Sequence, residues 1–89
     1  MVRAHLYISG VVQGVGYRWS CHREAGSREL RGWVHNLPDG RVEAVFQGPK
    51  EEVEAMIRWC YRGPSEAQVS DIDVTYEDVQ DDLKSFGIR

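Results

Sequence analysis

The sequence contains few residues that bind metals or form cross-links. It has only two cysteines among 89 residues, and Cys21 and Cys60 have neither a zinc-site spacing nor the number needed for a disulfide framework. The three histidines, His5, His22 and His35, are scattered, and no carboxylate cluster is evident beside them. We therefore expect no metal site, and we expect each histidine to be half-buried or at the surface.

Long apolar runs and an excess of positive charge are also absent. No run can span a bilayer, and the N-terminus leads into a strand pattern without the apolar region of a signal peptide. The formal net charge of -3, from 11 Lys and Arg against 14 Asp and Glu, disfavours binding to nucleic acids or anionic membranes. The length suits one domain, residues 1–89, without a separate cofactor domain. We expect a cytoplasmic protein that captures anions through local contacts.

Glycine, by contrast, is concentrated in the segment Gly10–Arg18, between a strand pattern and a helix pattern. Before it, Ala4, Leu6 and Ile8 alternate with polar residues, as in a strand with one buried face. A glycine-bearing loop that enters a helix exposes backbone N–H groups at the positive end of the helix dipole, which attract an anion. The residues predicted to bind this anion are Gln13, Gly14, Val15, Gly16, Tyr17 and Arg18.

The rest of the chain alternates between strand and helix patterns. We predict a helix over about residues 18–30, strands at 31–37, 41–47 and 68–76, a helix between Pro49 and Gly63, and a solvated acidic loop at 77–82. A short fifth strand is possible at 86–88. This order predicts an α+β, ferredoxin-like βαββαβ sandwich, in which two helices cover one face of an antiparallel sheet.

Asn36, at the end of the second predicted strand, falls at the same sheet edge as the glycine loop. In this fold the third strand lies between the first and second, so Asn36 is about 10 Å from the first strand, and a curled loop can bridge that gap. The loop and Arg18 can hold a phosphate, and Asn36 can hold a water in line with the phosphorus. No strong base is evident there. The chemistry is therefore restricted to good leaving groups, such as the carboxylate of an acyl phosphate.

These residues carry a family resemblance. The segment Gly10–Arg18, followed by Gly32–Asn36 and Asp39–Glu43, closely resembles the two signature segments of the acylphosphatases. Gly48-Pro49, Gly63-Pro64 and Phe86-Gly87-Ile88 extend the resemblance over nearly the whole chain. It implies hydrolysis of acyl phosphates to carboxylate and inorganic phosphate, without a metal, a cofactor or a phosphoenzyme. It also implies that Arg18 binds phosphate and that Asn36 orients water. We expect the enzyme to act as a monomer.

Two of the departures from the family pattern concern the end of the first helix and the residue before Asn36, and neither changes Arg18 or Asn36. Members commonly have Leu-Gly-Leu where this chain has Arg28-Glu29-Leu30, so the first helix lacks its usual glycine stop. The residue before the signature asparagine is commonly Arg and is His35 here, which reduces the positive field near the site or makes it depend on pH.

Other interpretations of the same residues remain open. A phosphate-binding module of a larger enzyme would use the same loop, although the length of this chain and its intact signature residues favour an enzyme. An RNA-binding domain of this fold would need aromatic residues on the open face of the first and third strands, and the third strand offers only Phe46, on the face that we assign to the core. We interpret all three tryptophans as core or core-edge residues, Glu43 as solvent-facing and Asp39 as turn-forming. A Cys21–Cys60 disulfide is conceivable, but thiols in the cytosol usually stay reduced.

Overall fold

A computed structural model describes residues 1–89 and contains five strands and two helices. The elements, in chain order, are β1 Val2–Val11, α1 Tyr17–Ser27, β2 Arg31–Asn36, β3 Val42–Gly48, α2 Lys50–Arg62, β4 Gln68–Glu77 and β5 Phe86–Ile88. The strands form one sheet in the order β4-β1-β3-β2-β5. The predicted ferredoxin-like order is therefore confirmed, and β3 lies between β1 and β2. Neither of the two helices, of 11 and 13 residues, could span a bilayer.

The strand register brings the functional segments to one edge of the sheet. Val42, at the start of β3, pairs with Ile8 of β1 on one side and with Asn36 of β2 on the other. β1 and β2 are both antiparallel to β3, so they end at the same edge. β5 pairs parallel to β2, in contrast to the otherwise antiparallel sheet, and it also ends there. The C-terminal strand thus adds a side chain, Ile88, near the edge that holds Asn36.

The hydrophobic core lies between the sheet and the two helices. It follows the predicted alternation on β1. On β3 the predicted core residues Val42, Ala44 and Phe46 are fully buried, but Val45 and Gln47 on the opposite face are buried as well. The strand contributions are Ala4, Leu6, Ile8, Val34, Val42, Ala44, Phe46, Ile72 and Phe86, and the helices contribute Tyr17, Cys21, Ala25, Val53, Met56 and Cys60. The two cysteine thiols are free and buried. Burial and the neighbouring thiol raise the pKa of Cys21 well above its usual value.

Helix α1 ends three residues earlier than the sequence predicts. The helix stops at Ser27, and the N–H of Leu30 donates to the carbonyl oxygen of Ala25 across the turn. Glu29 adopts φ +55°, the left-handed conformation that glycine provides in many helix ends. The chain therefore makes the usual helix stop without the glycine. The side chain of Leu30, the next residue, is buried in the core.

The face of the sheet that carries no helix holds a hydrogen-bonded network of histidines and carboxylates. Nε2 of His5 lies 2.6 Å from Oε2 of Glu43, and Nδ1 lies 3.0 Å from Oε2 of Glu77. Nε2 of His35 lies 2.6 Å from Oε1 of Glu43. The fold thus brings carboxylates to histidines beside which the sequence shows no carboxylate cluster. The interpretation of Glu43 as solvent-facing was wrong, because its side chain is only 14% exposed.

The acidic segment after β4 is attached to this same face. Arg3 donates from Nη1 to Asp82 at 2.9 Å and from Nε to Glu77 at 3.2 Å. Nε2 of Gln47 donates to the carbonyl oxygen of Gln80 at 2.7 Å. Residues 77–82 are all exposed, as predicted for a solvated loop, although Glu77 is still part of β4 and the segment contacts a buried arginine and a buried glutamine.

Candidate active site

A pocket with a volume of about 310 Å³ opens at the edge where β1, β2 and β5 end and α1 begins. It is lined by Val12, Gln13, Gly14, Gly16, Tyr17, Arg18, Trp19, Asn36 and Ile88. The glycine loop, Arg18 and Asn36, which the sequence assigns to one site, therefore meet in one pocket. Among these lining residues there is no histidine and no carboxylate.

The loop between β1 and α1 presents unpaired backbone donors to this pocket. Gly14 and Gly16 both have φ +76°, a conformation that L side chains rarely adopt, and Gly16 is the N-cap residue of α1. None of the backbone N–H groups from residue 13 to residue 19 donates a hydrogen bond within the protein. These donors lie at the positive end of the α1 dipole, which makes the loop a favourable place for an anion.

Gln13 connects the loop to the opposite side of the pocket. Its Nε2 donates to the carbonyl oxygen of Leu37 at 2.8 Å and to that of Arg41 at 3.0 Å. Leu37 follows Asn36 directly, and its own N–H donates to the carbonyl oxygen of Arg41. The amide nitrogen of Gln13 is thus occupied by the β2–β3 turn. These hydrogen bonds link the loop to the turn that directly follows Asn36.

Two of the predicted anion-binding residues have side chains that point into the core. Tyr17 is 1% exposed, its hydroxyl donates to the carbonyl oxygen of Cys60 at 2.6 Å, and its ring packs against Trp59. Val15 packs against the hydrophobic core and does not line the pocket. Only the backbone N–H groups of these two residues are available to an anion.

Arg18 is exposed at the pocket and makes no ion pair with an acidic side chain. Three other arginines, Arg3, Arg28 and Arg41, are each paired with a carboxylate. The guanidinium of Arg18 therefore keeps its donors free for a bidentate contact with a phosphate or carboxylate.

Asn36 brings an unpaired buried acceptor to the same pocket. It lies on the helix-facing side of β2, two residues after the core residue Val34. Its Oδ1 is buried and has no hydrogen-bond partner. A buried amide oxygen without a partner costs free energy unless a bound molecule satisfies it. His35, the family departure nearest in sequence, points to the opposite face, where it bonds Glu43, so it does not contribute to this pocket.

Sequence reasoning missed three residues that line the pocket: the buried Val12 and the exposed Trp19 and Ile88. Trp19 is 59% exposed and Ile88 is 43% exposed. The interpretation of Trp19 as a core residue was wrong, because the buried face of α1 carries Tyr17, Cys21 and Ala25. Trp19 is two residues from Tyr17, so it lies about 200° around the helix from that face. This helical spacing was the signal that could have identified Trp19.

Comparison with known proteins defines the family. The acylphosphatase family model matches residues 4–88. The chain belongs to the acylphosphatase family. An acylphosphatase from Nostoc sp. is 49% identical over 89 residues, which cover all of this chain and 87% of the relative. The crystal structure of the acylphosphatase from Bacillus subtilis superposes with a TM-score of 0.96 at 35% identity, and the match covers 100% of this chain and 99% of that one.

The acylphosphatase fold also occurs as part of larger proteins. A crystal structure of full-length HypF in a phosphate- and nucleotide-bound form matches all of this chain, with a TM-score of 0.84 and 28% identity. The match covers 12% of HypF. Curated acylphosphatases of about the length of this chain, at about half identity, make the chain an acylphosphatase-type hydrolase of acyl phosphates.

Proposed function

We propose that the protein hydrolyses acyl phosphates by direct in-line attack of a water on phosphorus. The single observation that carries this mechanism is the meeting of three groups in one pocket: the unpaired N–H groups of the loop, the unpaired guanidinium of Arg18, and the unpaired buried Oδ1 of Asn36. The loop and Arg18 supply donors only, which suits phosphate oxygens. Asn36 supplies an acceptor, which suits a water.

The phosphate is held by the loop N–H groups and by Arg18. Backbone N–H groups at a helix start and a bidentate guanidinium together stabilise the charge on the non-bridging oxygens. These donors are fixed by the fold before the substrate binds, so little reorganisation is needed in the transition state. Arg18 is thus proposed to act in both binding and catalysis.

The water is held by the side chain of Asn36, whose Oδ1 accepts one of its hydrogens. The water oxygen forms a bond to phosphorus, and the bond between phosphorus and the acyl oxygen breaks. The electron pair leaves with the carboxylate, and the water proton passes to a phosphate oxygen, so the products are a carboxylate and dihydrogen phosphate. Because the conjugate acid of the leaving carboxylate has a pKa of about 4, departure needs no general acid.

The lining of the pocket favours this substrate class over ordinary phosphate esters. An alkoxide leaving group needs a proton donor, and no histidine or carboxylate lines the pocket. The histidines and glutamates of the network on the other face of the sheet are separated from the pocket by the sheet itself. We propose that the substrate is a carboxyl phosphate anhydride and that no protein side chain serves as a base.

The test is hydrolysis of benzoyl phosphate, an aryl acyl phosphate, by the purified protein in the presence of a metal chelator. We expect turnover, and absence of turnover would contradict the proposal. Binding of inorganic phosphate without turnover would instead support a phosphate-binding module. Arg18→Ala should lower kcat/KM by about 10³-fold or more, as expected when a positioned arginine is lost from a phosphoryl-transfer site. Arg58→Ala, which removes an exposed charge outside the pocket, is the matched control.

A further inference from the structure

The pocket extends beyond the groups that hold phosphate and water. Its volume of about 310 Å³ exceeds that of a phosphate ion, and the additional lining includes the exposed side chains of Trp19 and Ile88. Large exposed apolar side chains beside a polar site are typical of ligand pockets, in which polar groups orient the ligand and apolar walls contact its body. The site therefore has an apolar wall that binding of phosphate does not explain.

Trp19 and Ile88 both lie in elements of regular secondary structure, α1 and β5. Trp19 lies in the first turn of α1, next to Arg18 in the chain. Ile88 lies in β5, where the N–H of Arg89 donates to the carbonyl oxygen of Val34 and holds the end of the strand beside β2. Ile88 shares the helix-facing side of the sheet with Phe86, a core residue. The apolar wall is therefore formed by the start of α1 and the end of β5.

The ring of Trp19 is held in place although it is exposed. The guanidinium carbon of Arg23, one helical turn later, lies 4.7 Å from the centroid of the indole ring. This is a cation–π distance, and the contact restricts the rotamers that the exposed ring can adopt. Arg23 does not itself line the pocket, so it acts as a positioning residue. Ligand binding costs less entropy when the indole ring is already ordered than when it is mobile.

From this arrangement we infer that Trp19 and Ile88 form a binding surface for the acyl group and give the enzyme a preference for acyl phosphates with a flat, apolar acyl group. The inference rests on the proposed function, because the proposed function places the phosphate at Arg18 and the leaving carboxylate beside the phosphate. The acyl group then extends from the phosphate over the indole ring. An aromatic acyl group stacks on this ring, whereas the methyl group of acetyl phosphate covers little of it.

The predicted kinetic effect follows from when the contact is made. The acyl group keeps its position while the phosphorus–oxygen bond breaks, so the ring contacts it equally in the ground state and the transition state. Such uniform binding lowers KM and leaves kcat unchanged. Removal of the indole should therefore raise KM for an aromatic substrate and have little effect on acetyl phosphate.

The experiment compares benzoyl phosphate with acetyl phosphate as substrates of the native protein and its variants. For Trp19→Ala the ratio of kcat/KM for benzoyl phosphate to that for acetyl phosphate should fall by about 3- to 10-fold, through KM, which is the range expected for loss of an aromatic contact. Trp19→Phe should retain most of the ratio, and Ile88→Ala should lower it by a smaller factor. Tyr61→Ala is the matched control, because Tyr61 is 54% exposed and does not line the pocket.

The outcomes separate this inference from the proposed function. An unchanged ratio in Trp19→Ala would overturn the acyl-binding surface, even where kcat/KM falls equally with both substrates, since an equal loss would assign Trp19 to the loop and not to the acyl group. A ratio that falls as much in Tyr61→Ala would also overturn it. Failure of the native protein to hydrolyse either substrate would instead refute the proposed function.

Discussion

Replacement of Gln13 by alanine should lower both the stability and the turnover of the enzyme. The change removes the hydrogen bonds from Nε2 to the carbonyl oxygens of Leu37 and Arg41, at 2.8 and 3.0 Å. A typical hydrogen bond contributes about 0.5–1.5 kcal/mol net, and water can reach part of this site, so the free energy of unfolding should fall by about 1–2 kcal/mol. With a urea m-value of about 1 kcal/mol/M for a small domain, the midpoint should fall by about 1–2 M.

The kinetic consequence of Gln13→Ala depends on what the side chain does. If the Gln13 side chain holds the loop against the β2–β3 turn, its removal lets Arg18 and Asn36 move apart. The value of kcat should then fall by about 10- to 100-fold, as expected when reacting groups are slightly misplaced. The inhibition constant of inorganic phosphate should change little, because the loop N–H groups remain. Gln68→Ala, a change at an exposed glutamine without side-chain hydrogen bonds, is the control. If Gln13→Ala matched that control, or weakened phosphate binding alone, the connecting role would be refuted.

Two further predictions follow from the loop and from the histidine network. Gly16→Ala should lower the free energy of unfolding by about 1–2 kcal/mol and weaken phosphate binding, because φ is +76° at this residue. Gly26 lies inside α1, and an added Cβ atom meets no other atom at either glycine, so Gly26→Ala should raise the free energy of unfolding by about 0.5–1 kcal/mol. Equal changes in the two denaturation midpoints would contradict this. Burial of the His5 ring opposes its protonation, but hydrogen bonds to Glu77 and Glu43 outweigh it and raise the pKa above 6.5. The native protein should therefore be more stable than His5→Gln by the largest margin below pH 6.5, while both carboxylates stay ionised, and this margin should decline as the pH rises through the raised pKa of His5. Thermal denaturation of both proteins over a pH series would measure the margin. A margin that grew with pH would refute a raised pKa for His5.

The fold was predictable because short-range patterns decide it. The alternation of Ala4, Leu6 and Ile8, and the turn before β3, both specify antiparallel strands with one buried face, and the structure confirms that face. The glycine loop and Asn36 could be assigned to one edge from topology alone. The end of α1 could not be placed, because the family's glycine is absent and Glu29 takes its left-handed conformation at a cost that tertiary packing must offset.

The histidine network could not be predicted because it depends on strand register. His35 and Glu43 are directly opposite in the β2–β3 pair, and Glu43 is opposite Tyr7 in the β1–β3 pair. A shift of one residue would point Glu43 towards the core instead. The sequence pattern identifies which residues share a face, but it does not identify which residues are neighbours across strands. The contribution of Ile88 to the pocket could not be predicted either, because it depends on the parallel pairing of β5 with β2, and the sequence pattern does not show which strands pair.

The separate roles of Arg18 and Asn36 form the second part of the proposed mechanism. Asn36→Ala should lower kcat by about 10²- to 10³-fold, as when one positioned polar group is lost, and leave KM nearly unchanged, because the water and not the phosphate loses its partner. Arg18→Ala should change both parameters. Steady-state kinetics with benzoyl phosphate measures both, and equal increases of KM in the two variants would contradict the division of roles.

Hydrolysis in ¹⁸O-labelled water distinguishes attack of water on phosphorus from attack on the carbonyl carbon. For attack on phosphorus, the label should appear in inorganic phosphate, in a single turnover and in repeated turnovers, and the carboxylate product should remain unlabelled. Label in the carboxylate would mean that water attacks the carbonyl carbon, and the roles proposed for Arg18 and Asn36 would then be wrong.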